Sequence, residues 1–400
     1  MIADLLRRAV ARTRWWVLRE RAVVAATWVA VRVLPPRPTA VVHGEPDWEG
    51  NAVEVLKGLV RRYPGQVVWL RDASTPSDAE LLGDVPAGRV RAVRTRSLAA
   101  LRVCARAEVT FFTHGLVTAV RPPASRLVVN LWHGDGPKAT TGLPRCRSTV
   151  AVAATRLWGD YKADLFGLRP QDVAVVGNPR MDSARDRPAA QTRERLGLPA
   201  GGEQLVLWLP TFRRGGNQNV SFTNGLPLSQ ALEARIVVPE GVRLVVKPHP
   251  MDSDDYAGLG ATVLTDRDLL RAGVTLPQLL GAADALVSDA SSAWVDYLGL
   301  ARPVGFFLPD LDAYGAARGY NVPDLREVLP GPVLGDPEAV SRFLLDVREG
   351  TARPPAGYPA LARIGHQGAV PVTDRLFDWL DDYQSARGRR RLFTGPPSPR

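Results

Sequence analysis

From Thr39 onward the chain alternates short β-branched runs with helical patterns, and the runs are apolar throughout rather than apolar on every second residue. A strand that is apolar on both faces must be covered on both faces, which a parallel sheet with crossover helices provides and a one-sided antiparallel sheet does not. TAVVHG, QVVWLRD, RVRAV, EVTFFTH, RLVVNLWHG, TVAVAAT (149–155) and DVAVVG (172–177) form one block, with helical stretches at 50–62 and in SLAALRVCARA. After the linker-like SARDRPAA (183–190), a second block follows with QLVLWLP (204–210), RLVVKPHP (243–250), TVLTD (262–266), ALVSD (285–289) and PVGFF (303–307). The pattern predicts an α/β protein with two doubly wound, Rossmann-like domains facing each other across a cleft. They span 39–185 and 186–370, with a basic segment at 1–38 and a helix with a basic tail at 371–400.

In a chain of 400 residues, 45% hydrophobic and 23% charged, wholesale disorder and fibrous architectures are excluded. Cys104 and Cys146 are too few for a disulfide framework or a Cys-rich zinc site, which fits a reduced cytosolic chain. The net charge of +10 sits at the ends: residues 1–40 carry eight Arg against Asp4 and Glu20, and 385–400 carry five Arg and no acid. The body between them is near neutral. A nucleic-acid groove would spread its cations along the phosphate track, so the pattern excludes that partner and favours an anionic membrane surface.

Ile2, Leu5, Leu6, Ala9, Val10, Thr13, Trp16 and Val17 follow one helical face, with Arg7, Arg8, Arg12, Arg14 and Arg19 on the remainder. Such a basic amphipathic helix lies in a headgroup layer or packs on the protein's own body. Residues 22–31 are uncharged but fall well short of the roughly 20 positions that span a bilayer. We therefore expect neither a transmembrane helix nor a signal peptide, and a peripheral position on the cytoplasmic face of the membrane.

Ligands of open parallel sheets bind outside the carboxyl ends of the strands, so the polar residues there are the ones to inspect. His133 follows LVVNLW and precedes GDGPK, which places an imidazole beside two glycines and makes it the best general-base candidate. Lys247 and His249 end RLVVKPHP, with Pro248 and Pro250 stiffening the backbone, a pair suited to phosphate. VSDASSAWVDYLGL (287–300) passes from strand to helix, with Asp289, Ser291 and Ser292 able to cap it or to help hold an anion, and Asp296 one turn further on. NPRMD (178–182) and LPTFRR (209–214) add Arg180, Thr211, Arg213 and Arg214 as anion contacts. There is no P-loop and no GxGxxG, no His or Asp cluster that demands a metal, and His43, His114 and His366 stand isolated and read as structural.

In their order and spacing, WHGDGPK (132–138), GNPRMD (177–182), PTFRR (210–214), KPHP (247–250) and SDASSAWVDYLGLARPVGFFLPDLDAY (288–314) resemble the CDP-glycerol glycerophosphotransferase family of teichoic acid synthesis. TAVVHGEPDWEGNAVEVL (39–56) is similar to the family's first strand and helix. The resemblance implies a glycosyltransferase B arrangement and transfer of glycerol phosphate from CDP-glycerol to a hydroxyl on a lipid-linked glycan or glycerophosphate acceptor, with release of CMP and no required cofactor. It implies His133 as the base, Gly134, Asp135, Gly136 and Pro137 as lining the donor site, and Lys247, His249, Ser291 and Ser292 as holding the pyrophosphate. Arg180, Pro210, Thr211 and Asp296 match further donor-contact positions, Asp296 through glycerol or ribose hydroxyls, and Pro248, a mild departure from the family's pattern, is expected at the donor site with them. The sequence has DGPK where the family usually carries Thr-Pro-Leu-Lys. CDP-ribitol or another CDP-polyol donor, a nucleotide-sugar glycosyltransferase of the same fold, and a non-catalytic membrane scaffold are the other readings.

Overall fold

The computed structural model describes residues 22–45, 50–72, 82, 86, 88–116, 120, 122–140, 147–211, 236–249, 256, 259–309, 311–354 and 370–395. The amphipathic stretch 1–20, Cys146, Phe212 to Arg214, the loop 215–226, Pro250, His366 and Arg400 lie outside them.

The first sheet follows α1 (22–33) and contains β1 (Arg37–His43), β2 (Gln66–Arg71), β3 (Val90–Arg94), β4 (Ala107–Phe112), β5 (Leu127–Asn130), β6 (Val150–Ala153) and β7 (Val173–Val175). Its order is β3-β2-β1-β4-β5-β6-β7 and every pairing is parallel. Between the strands run α2 (Asn51–Arg62), α3 (Leu98–Arg106) and α4 (Arg156–Phe166), the last two begun by Ser97 and Thr155 hydroxyls that accept from backbone N–H groups three residues on.

A 3-10 segment, Pro179–Arg185, and α5 (Ala189–Arg195) lead into the second sheet. It holds β8 (Gln204–Trp208), β9 (Val242–Val246), β10 (Thr262–Val263), β11 (Ala285–Ser288), β12 (Val304–Phe307) and β13 (Val333–Leu334), in the parallel order β10-β9-β8-β11-β12-β13. Its helices are α6 (Asp266–Ala272), α7 (Leu276–Ala282), the short α8 (Ala293–Tyr297), α9 (Leu311–Arg318) and α10 (Pro337–Glu349). Apolar side chains on both faces of the central strands are buried, as the unbroken hydrophobic runs require.

The chain then returns. The last helix, α11 (Val372–Ser385), packs on the first domain, where Val372, Leu376, Phe377 and Leu380 join the core beneath α2. Gly58 permits this approach, since a Cβ there would lie 2.4 Å from Thr373 Cγ2. Asp182 caps the helix, accepting from the backbone of Val372 and Thr373 and from the Thr373 hydroxyl at 2.6 to 2.9 Å. The basic tail is engaged as well: Arg387 pairs with Asp172, Arg390 with Glu108 and Arg391 with Asp381. These carboxylates hold part of the C-terminal charge against the first domain, and the N-terminal side is tied to it too. There α1 is fixed by the buried guanidinium of Arg126, which donates to the carbonyls of Val31, Leu34, Ala105 and Ala107.

Candidate active site

Each sheet reverses its strand order once, between β1 and β4 in the first and between β8 and β11 in the second. Such switch points open a crevice at the carboxyl ends of the strands. Thr211 follows β8 and Asp289 to Ser292 follow β11, while His114 follows β4 and His133 follows its neighbour β5.

The turn after β5 is held in an uncommon shape. Trp132 occupies the left-handed region at φ 56°, which costs about 1–2 kcal/mol in a non-glycine residue. The Asn51 amide, at the start of α2, offsets this by donating to the carbonyls of Leu131 (3.2 Å) and Trp132 (2.9 Å), while Asn130 accepts from the Trp132 N–H at 3.0 Å. Asn51 Oδ1 also accepts from the Arg180 N–H at 2.9 Å, so one buried side chain aligns two site loops.

His133 then projects with part of its surface open, stacked on His114 with ring centroids 4.4 Å apart and planes 13° from parallel. Burial among its neighbours, followed by the charges of His114, Arg180 and Lys162, pushes the His133 pKa down to about 3. Burial likewise lowers His114. At neutral pH the His133 ring is therefore an unprotonated base beside cations, and an arriving anionic donor would raise its affinity for a proton.

Gly134 and Gly136 bring the loop against the second domain. A Cβ on Gly134, whose φ is 146°, would meet Arg180 Nη2 at 2.7 Å and Ser292 Oγ at 3.1 Å; one on Gly136 would meet Ser292 Cβ at 2.9 Å. Ser292 starts α8 without a side-chain capping bond, and Ser291 Oγ takes the Ala293 N–H at 3.3 Å. Arg180 donates to the His133 carbonyl at 2.7 Å and forms an ion pair with Asp296, whose other oxygen accepts from Asn178 at 2.7 Å. His133, Gly134, Gly136, Arg180, Ser292 and Asp296 thus meet across the cleft.

Other expected residues are placed differently. Asp135 is 2% exposed and turned inward to Lys162, so only its backbone faces the cleft side of the loop expected to line the donor site. Asp296 is engaged by Arg180 and Asn178 rather than presented to hydroxyls of a donor. Thr211 is clamped to Asp289, its N–H 2.8 Å from Oδ2 and its hydroxyl bonded to Oδ1. Pro210 and Pro137 are buried. Lys247 is buried against Asp266 at 2.6 Å, half-buried Pro248 follows, and His249 is exposed beyond the end of β9. Because β9, β8 and β11 are adjacent, Lys247, Thr211 and Ser291 share one end of the second sheet.

Residues not anticipated include Asn51, Lys162, Asn178, His114 and Asn321. Asn321 fastens the domains together: its amide donates to Gly136 O at 2.9 Å, its N–H to Pro137 O at 2.7 Å, and its Oδ1 accepts from Thr140 and Tyr161. His114 was the discoverable one, because it too follows a strand at a switch point. Among the described residues no group of three or more His, Cys, Asp or Glu is arranged to hold a metal ion.

The sequence profile of the CDP-glycerol:poly(glycerophosphate) glycerophosphotransferase family matches residues 42–356. Among curated proteins, the chain is 25% identical over 302 residues to the teichoic acid ribitol-phosphate polymerase TarL of Staphylococcus aureus, covering 70% of this chain and 50% of that protein. It is 27% identical over 226 residues to a teichoic acid glycerol-phosphate primase of Bacillus spizizenii, covering 51% and 56%. The chain thus spans about half the length of the curated relatives it matches. In fold it is similar to the wall teichoic acid polymerase TagF, with a TM-score of 0.67, 17% identity and coverage of 96% of this chain and 98% of that one. A UDP-N-acetylglucosamine 2-epimerase of Listeria monocytogenes shares the two-domain fold at a TM-score of 0.51 and 14% identity, covering 89% and 99%.

Proposed function

Because the chain belongs to the CDP-glycerol:poly(glycerophosphate) glycerophosphotransferase family, we propose that its cleft moves glycerol phosphate, or a related polyol phosphate, from a CDP-linked donor to a hydroxyl of a membrane-linked acceptor. The observation that carries this reading is the meeting of the His133 loop with Arg180 and Ser292 across two domains, Arg180 donating to the His133 carbonyl and Ser292 lying against Gly134 and Gly136. His133 takes the proton of the acceptor hydroxyl, its oxygen attacks the phosphorus that bears the polyol, and the bond to the CMP oxygen breaks with its electron pair. Arg180, Lys247 and His249 neutralise charge on the transferred and departing phosphates. Phosphoryl transfer is mostly positioning and charge stabilisation, which such groups supply without a required metal. Asp266 and the Pro248 carbonyl occupy two of the three Lys247 protons, leaving one donor for phosphate.

The acceptor's lipid sets the location, the cytoplasmic face of the membrane. Support comes from α1, whose outward side exposes Trp28, Val29 and Val33, and from the adjoining groove of about 620 Å³, rimmed by Arg91, Arg102 and Arg106. No described helix is long and apolar enough to cross a membrane. Incubating the protein with CDP-glycerol, CDP-ribitol and a UDP-sugar, with and without a lipid-linked acceptor, tests the reading through the nucleotide released. Acceptor-dependent CMP is expected; UDP release alone would instead indicate a nucleotide-sugar transferase.

A further inference from the structure

Beneath the His133 loop lies a buried ion pair. Lys162 Nζ, on α4, is 2.5 Å from Asp135 Oδ1, and the two side chains are 3% and 1% exposed. Asp135 Oδ2 accepts from the Ala154 N–H at 2.5 Å, and Lys162 donates to the Val152 carbonyl at 2.5 Å. The pair therefore joins three elements: the turn after β5, the end of β6 and the middle of α4. Taking both charges out of water is costly, and an apolar pair of similar size is often as stable, so stability alone is a poor reason for such a pair. Its place suggests another. Asp135 stands between Gly134 and Gly136, the two positions where the loop lies within van der Waals range of Ser292.

We propose that Lys162 acts through Asp135 as a positioning residue for the proposed transfer, fixing the height of the His133 loop against Ser292 and Arg180. The inference rests on the reading of the cleft given above. Two fixed points oppose each other: Asp135 pulls the loop toward α4, and Asn321 holds the Gly136 and Pro137 carbonyls from the second domain. Between them the His133 carbonyl is presented to Arg180. Burial is the chief influence that lowers the His133 pKa, and the charges of His114, Arg180 and, last, Lys162 add to it.

The test compares Lys162→Met, Asp135→Asn and the double variant, which removes both charges with little change of volume. Each single variant leaves one buried group without its partner and is expected to lose thermal stability and at least tenfold in kcat for CMP release. In the double variant stability should return while kcat stays at least tenfold low, with the donor KM changed less than kcat. Amide hydrogen exchange of residues 131–138 should be faster in the double variant than in the parent and unchanged in β1 and β2. A double variant whose kcat recovers together with its stability, and whose loop exchanges like the parent's, would show that the pair is only structural. If the parent releases no CMP, the exchange measurement still decides this inference, and the failure belongs to the functional reading.

Discussion

The imidazole of His114 lies almost flat on that of His133, 4.4 Å between centroids, at the ends of adjacent strands. A stacked neighbour holds the orientation of the ring and disfavours a proton on it. His114→Phe keeps the stacking and is expected to cost less than about threefold in kcat, whereas His114→Ala should cost about tenfold, since misplacing a general base forfeits part of its contribution. Steady-state CMP release measures both; equal losses would assign His114 more than a stacking role.

The same environment has a consequence for stability. His133 titrates at about 3 in the folded protein and near 6.5 when unfolded. Its contribution is thus fully present above the unfolded value and is lost as pH falls below about 6.5, because the unfolded chain takes up a proton that the folded ring refuses. His133→Gln should therefore lose less melting temperature than the parent between pH 7 and pH 5. An identical loss in both proteins, read by calorimetry, would place the ring in an ordinary environment.

Arg180 and Asp296 tie the 3-10 segment Pro179–Arg185 to the second domain. Asp296→Asn leaves a largely buried guanidinium uncompensated, and removing one partner of a buried pair costs about 3–5 kcal/mol. Arg180→Lys keeps the charge but cannot serve Asp296 and the His133 carbonyl with one planar fork. Both are expected to lower kcat/KM by about a hundredfold, with Asp296→Asn also lowering the melting temperature.

At Gly136 the space is fully used. Gly136→Ala would set its methyl against Ser292 Cβ at 2.9 Å, so CMP release should fall more than about tenfold, with overpacking costing about 1–3 kcal/mol. Adding Ser292→Gly removes that contact but leaves the Ser292 Cα at 3.0 Å, so it should recover only a small part of the stability and none of the contribution of the serine hydroxyl. A Gly136→Ala protein with parental activity would mean that the domains meet elsewhere during turnover.

Trp28 and Val33 keep 50% and 72% of their surface exposed on α1. Replacing both with Ser should weaken sedimentation with anionic vesicles several-fold and leave turnover of a detergent-dispersed acceptor within about twofold, as loss of interfacial apolar area would. Unchanged vesicle binding would transfer that role to another surface.

The fold class was legible because fully apolar runs separated by helical patterns leave few arrangements open. The motif loops were legible because strand ends are where parallel sheets present polar groups. What the sequence concealed were relationships created by strand order. His114 looks isolated in the chain, yet β4 and β5 are neighbours, which puts its ring on His133. Asp135 looks like a donor contact until α4 supplies Lys162 beneath it. The return of α11 to the first domain depends on Gly58 and Asp182, more than a hundred residues upstream, and local pattern carries no sign of it.

The most direct test is the fate of the polyol phosphate itself. Parent, His133→Ala and His249→Ala proteins would be given CDP-glycerol and a lipid-linked glycerophosphate acceptor, and the acceptor analysed by mass spectrometry. The account predicts an acceptor heavier by glycerol phosphate units with the parent, matched mole for mole by CMP, and little or no product with either variant. Full product with His133→Ala, or CMP released while the acceptor gains no mass, would contradict it.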